Sequence, residues 1–86
     1  MSPSELAALT ETRNLALKYY REALNGVNGQ ASVVVKFQVA HILSDLGRSH
    51  EAEPLWREVI AKSKNKIIAI EAALGLAEFF EKRSNT

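Results

Sequence analysis

Cysteine is absent from the sequence, and with it go disulfide scaffolds, thiolate zinc sites and thiol catalysis. That absence fits a reducing compartment. An excess of either charge is missing too: a net charge of +1 sets up no long-range field toward nucleic acid or an anionic membrane. No apolar run approaches the length of a transmembrane helix. The opening Met1-Ser2-Pro3-Ser4-Glu5 is polar and acidic, unlike a signal or transit peptide. Only two prolines and four glycines punctuate the chain, and no low-complexity segment is present. What remains is an 86-residue chain, 47% hydrophobic and 24% charged, a balance that favours folding over disorder. A core of this size supplies only about 3–5 kcal/mol of net stability, so self-association would help. The expectation is a cytoplasmic, all-α protein with a single domain over residues 1–86.

Start and stop signals divide the chain into four helices. Ser2-Pro3-Ser4-Glu5 reads as a capping box with proline at the first helical position. Leu6, Leu9, Ala16, Leu17, Tyr20, Ala23 and Leu24 lie close to one stripe, interrupted by Arg13. Asn25-Gly26-Val27-Asn28-Gly29 then favours a turn. A second helix is expected from Gln30 or Ser32 to Leu46. Its Val33-Val34-Val35 run is β-branched, yet Phe37, Val39, Ala40, Leu43 and Leu46 continue at helical spacing. Gly47 can take the left-handed conformation that stops a helix. Ser49 is the expected cap of a third helix over about residues 50–63, with Glu51 and Glu53 near its electropositive first turn. Ala52, Leu55, Trp56, Val59 and Ile60 give that helix an apolar face, and Pro54 is expected to bend or loosen its start. Asn65 is the expected cap of a fourth helix, Lys66 to Arg83. Gly75 inside it costs about 1 kcal/mol relative to alanine and would allow a close helix crossing.

Two offsets reveal an internal repeat. Val39–Gly47 matches Leu76–Ser84 in apolar pattern at an offset of 37, and Ala16–Ala23 matches Ala52–Val59 at 36. Helices one and three are one type, two and four another, which suggests stacked helical hairpins. A closed up-down four-helix bundle is the alternative architecture. Within the helices, His41, Ser44 and Asp45 share a face, as do Glu71, Leu74 and Glu78. An apolar patch beside carboxylates suits an extended or helical peptide carrying basic residues.

The run Leu46-Gly47-Arg48-Ser49-His50-Glu51-Ala52-Glu53-Pro54-Leu55-Trp56-Arg57-Glu58-Val59-Ile60 resembles the tetratricopeptide repeat. It is most similar to the kinesin-light-chain variety, where Glu-Ala-Glu-Pro-Leu followed by an aromatic is common. Residues 33–66 would be one complete repeat. Residues 3–25 would be the second helix of a preceding repeat, and 66–83 the first helix of a following one. The Gly26–Gly29 loop is longer than the family's usual turn, and Ser63-Lys64-Asn65 stands where a proline is common. The resemblance implies a concave groove on helices two and four, lined by Phe37, His41, Ser44 and Asp45, then Leu74, Glu78 and Glu81. The Lys and Asn with which one subgroup clamps a chaperone's C-terminal carboxylate have no counterpart, since Phe37 and His41 stand there.

Other constellations carry less. His41 and Asp45 are too few for a metal or a catalytic centre and read as a helix-stabilising pair, so no metal, cofactor or catalytic residue is expected. Lys62, Lys64 and Lys66 complement a helix C-terminus, with no interleaved aromatics to stack nucleic-acid bases. Trp56, Tyr20 and Phe80 read as core residues. Helix four is apolar around much of its circumference, and Ile70, Leu76, Phe79 and Phe80 are expected to form an oligomer interface, with helix one as a contributor; the alternative is that the chain is part of a larger repeat array. The preferred function is a non-enzymatic module that binds another protein or peptide, with partner contacts at Phe37, His41, Ser44, Leu74, Glu78 and Glu81. A self-assembling bundle with a purely structural role is the alternative.

Overall fold

The computed structural model describes residues 1–84. It contains four α-helices: α1 (Pro3–Leu24), α2 (Gly29–Asp45), α3 (Ser49–Lys62) and α4 (Lys66–Ser84). No strand occurs among the described residues, and Val33-Val34-Val35 lies inside α2. The ends of the helices follow from local chemistry. The Ser2 hydroxyl accepts from the Glu5 backbone N–H at 3.2 Å and donates to its carboxylate at 3.0 Å. Gly47 sits at φ +77°, with its N–H on the Ser44 carbonyl at 3.0 Å. The Arg48 N–H reaches the Leu43 carbonyl at 2.8 Å, completing a Schellman stop for α2. Asn65 Oδ1 accepts from the Ile67 and Ile68 N–H groups at 2.9 and 3.3 Å, the expected cap of α4.

Ser49 does not cap α3. Arg48 occupies that position without a side-chain bond to the helix backbone, and its guanidinium grips the Glu51 carboxylate instead, at 2.7 Å from Nη2. The Schellman stop uses the Arg48 N–H to close α2, and Arg48 is then the residue that flanks the start of α3, with Ser49 already inside the helix. Pro54 lies within the unbroken span of α3.

The helices pack in chain order: α1 on α2, α2 on α3, α3 on α4, with α2 and α4 also touching. The backbone of α1 never approaches that of α4, as closing an up-down bundle would require, so the alternative architecture is ruled out. The result is a slab of 40 × 35 × 19 Å, about two helix layers thick. Its radius of gyration of 13.7 Å exceeds the roughly 12 Å of a compact chain of this length.

Trp56 holds the centre, only 2% exposed. Its ring meets Phe37 edge-on at 5.9 Å, and on α4 the backbone of Gly75 lies against it so closely that an added Cβ would come within 2.7 Å of Cζ2. Leu43, Ala40, Val39, Ala52, Val59 and Ala72 complete the buried centre. Lys36 and Glu58 pair across α2 and α3 at 2.8 Å, and Gln30 ties the start of α2 to the Lys62 carbonyl and the Lys64 N–H, each at 2.9 Å.

The α1 stripe is buried less than its spacing suggests. Leu17 alone is in the core, Tyr20 packs against it, and Leu6 is 52% exposed. Arg13 reaches Asp45, the last residue of α2, at 3.8 Å, so the turns of α1 before Arg13 run past the end of the helix they would pack on.

Candidate functional site

A cleft of about 340 Å³ opens between α2 and α4, lined by His41, Ser44, Asp45, Trp56, Glu71, Leu74, Gly75 and Glu78. Three successive turns of α4 supply Glu71, Leu74 and Glu78 to one wall, and the last turns of α2 supply His41, Ser44 and Asp45 to the other. The floor is the edge of the Trp56 indole, reachable because Gly75 has no side chain to cover it. His41 is exposed yet firmly placed. Its ring stands edge-on to Phe37 at 4.6 Å and to Trp56 at 4.8 Å, so two buried aromatics fix its direction.

Electrostatically the cleft is acidic. Asp45 is partly answered by Arg13, while Glu71 and Glu78 enter no ion pair among the described residues. Leu74, 60% exposed, places an apolar surface between those two carboxylates. The arrangement suits a group with an aliphatic stem and a cationic end, the stem against Leu74 and Trp56 and the charge between the carboxylates.

The residues with perturbed protonation lie elsewhere. Hydrogen bonding to Lys36, then Lys62, holds the Glu58 carboxyl below its usual range. Hydrogen bonding between Arg48 and Glu51 raises the guanidinium and lowers the carboxyl at the α2–α3 turn. Both are ion-paired structural positions away from the cleft, and neither marks a reactive group. No group of three or more His, Cys, Asp or Glu side chains among the described residues is placed to hold a metal ion. No helix among them is long and apolar enough to cross a membrane.

Of the expected partner-contact residues, His41, Ser44, Leu74 and Glu78 line this one cleft, together with Asp45 and Glu71. Phe37 does not. It is 6% exposed and serves as core beneath His41, because α3 covers the turn of α2 that carries it. Glu81 is exposed on α4 beyond the lining. Of the expected interface residues, Ile70 and Phe80 are 59% and 43% exposed, but Phe79 is 4% exposed and Leu76 packs against the core. Phe79 turns inward to meet the His50 ring at 5.5 Å, so it and Leu76 are packing positions and not the exposed interface residues expected from sequence. Phe80, expected in the core, is instead exposed, with Arg57 stacked over its ring at 5.6 Å. The part of the cleft missing from the sequence reading is its floor. Trp56 reads correctly as core, but only its contact with Gly75 shows that the indole edge also borders the opening.

Compared with protein-family models, with curated proteins and with solved structures, the chain matches none.

Proposed function

We propose that this chain is a non-enzymatic, tetratricopeptide-like interaction module that binds a basic segment of another protein in the α2–α4 cleft. One observation carries the reading: four residues expected from sequence to contact a partner converge on a single cleft, where Glu71 and Glu78 enter no ion pair among the described residues. The stacking of alternating helices in chain order supports the repeat-like reading, as does the Gly47 stop between α2 and α3. A peptide with a lysine or arginine every third or fourth residue would place cations near Glu71, Glu78 and Asp45. Affinity in the micromolar range is expected for so small and open a site, with strong salt dependence.

Trp56 is the sole tryptophan, so its fluorescence reports occupancy of the cleft directly. Titration with a Lys/Arg-rich helical peptide should shift its emission, and the Glu71→Gln, Glu78→Gln double variant should bind about tenfold more weakly. Equal binding of an acidic peptide of the same length, or no response to either, overturns the proposal.

A further inference from the structure

Both apolar flanks of α2 are covered, one by α1 and one by α3, whereas α4 packs on α3 and only touches α2. The internal repeat identifies which part of α4 is left open. At the offset that aligns Ala40 with Ala77, Val33, Phe37 and Leu43 fall on Ile70, Leu74 and Phe80. The three on α2 are 5%, 6% and 1% exposed, while their counterparts on α4 are 59%, 60% and 43% exposed. On α2, Phe37 of this surface meets Trp56 of α3 edge-on, and Val33 and Leu43 lie in the same buried core as Ala52, Trp56 and Val59.

The matching half is found on α1. Aligning Ala16 with Ala52 sets Tyr19, Tyr20 and Ala23 on Leu55, Trp56 and Val59. Ala52, Trp56 and Val59 are buried in α3, but Ala16, Tyr19, Tyr20 and Ala23 line an open, mostly apolar hollow of about 400 Å³ on α1. The chain thus displays an incompletely covered copy of each half of its own α2–α3 interface, the most extensive helix contact in the fold, with Tyr19 and Ala23 the open positions on α1.

We propose that α4 of one copy docks on α1 of a second copy, head to tail, repeating the α2–α3 packing between chains. Ala73 stands where Lys36 does, so the Lys36–Glu58 ion pair is not repeated and the contact rests on apolar burial. Association is therefore expected to respond little to salt. Because the two docking faces differ, each added copy leaves one of each free, and growth does not close at a dimer.

The test is sedimentation of the purified chain from micromolar to millimolar concentration, with one blocking variant on each face. Ile70→Lys and Tyr19→Lys alter side chains that are 59% and 58% exposed, so the helical circular dichroism of the monomer should be retained. If either variant loses it, glutamine at that position replaces lysine. Wild type should exceed dimer mass as concentration rises. Each variant alone should raise the association midpoint at least about tenfold. An equimolar mixture of the two should form a dimer and stop there, since Ile70→Lys keeps its α1 face and Tyr19→Lys keeps its α4 face. A wild type that stays monomeric at millimolar concentration overturns the proposal. So does a closed dimer that Tyr19→Lys leaves intact, which would mean α4 pairing with α4.

Discussion

Gly75→Ala is the sharpest probe of how the fold is built. At an open helical site this change stabilises by about 1 kcal/mol, because alanine is the better helix former. Here the new Cβ would lie 2.7, 2.8 and 3.0 Å from Cζ2, Cε2 and Cη2 of Trp56, closer than carbon atoms pack. The indole cannot rotate away as a flexible side chain would. It is rigid, 2% exposed, and met by Phe37 at 5.9 Å and His41 at 4.8 Å. Relief must come from moving α4 off α3, with an overpacking cost of about 2–3 kcal/mol, at the upper end of the usual range. Subtracting the gain in helix propensity leaves a net destabilisation of about 1–2 kcal/mol, or a fall in Tm of about 5–15 °C for a domain of this size. Urea and thermal unfolding followed by far-ultraviolet circular dichroism measure it. Trp56→Phe removes the crowded ring atoms, so the double variant should be less destabilised than the sum of the singles, with a coupling of at least about 0.5 kcal/mol. A Gly75→Ala protein more stable than wild type would refute the view that helix approach at the indole requires a missing side chain.

Gly47→Ala should destabilise by about 1–2 kcal/mol by the same unfolding assay, since φ +77° is unfavourable for any residue with a Cβ. Asn65→Ala should cost about 1 kcal/mol and fray the start of α4, seen as faster amide exchange at Ile67 and Ile68, whose N–H groups the Asn65 side chain now accepts. Glu58 gives a pH signature. Its folded pKa is depressed by Lys36 and Lys62, so its contribution is present above the unfolded value of about 4.3 and is lost as pH falls through the folded value. Wild type should therefore exceed Glu58→Gln in stability at pH 7, and the difference should shrink as pH falls below the unfolded value. The pair keeps about a quarter of its side-chain surface in solvent (26% and 28%), which limits the difference to under about 1 kcal/mol.

Much of this molecule is legible from residue order because its signals are local. Helix ends depend on a few neighbouring residues: Ser2 with Glu5, Gly47 in the left-handed region, Asn65 ahead of Ile67. Each of these acts as its chemistry dictates. Trp56 as the central core residue follows from its place in an apolar register, and the 36- and 37-residue offsets carry the two helix types. Spacing puts His41 and Ser44 on one face and Leu74 and Glu78 on another, and the meeting of the two faces in one cleft is what the resemblance to the tetratricopeptide repeat implies.

Which side of a helix faces a neighbour is another matter. Spacing alone places Phe37 beside His41 on one face, and only the position of α3 decides that the first is buried and the second exposed. Phe79 and Phe80 are adjacent in an apolar run, so periodicity cannot say which turns inward; contact with His50 decides it. Leu6 has the spacing of a core residue but overhangs the end of its partner helix, a consequence of relative helix length and placement. Local sequence determines what a short stretch can do by itself, namely wind, cap and stop. Burial is a property of pairs of surfaces, and it became fixed only when α1 packed on α2 and when α2 and α4 closed on the indole of α3.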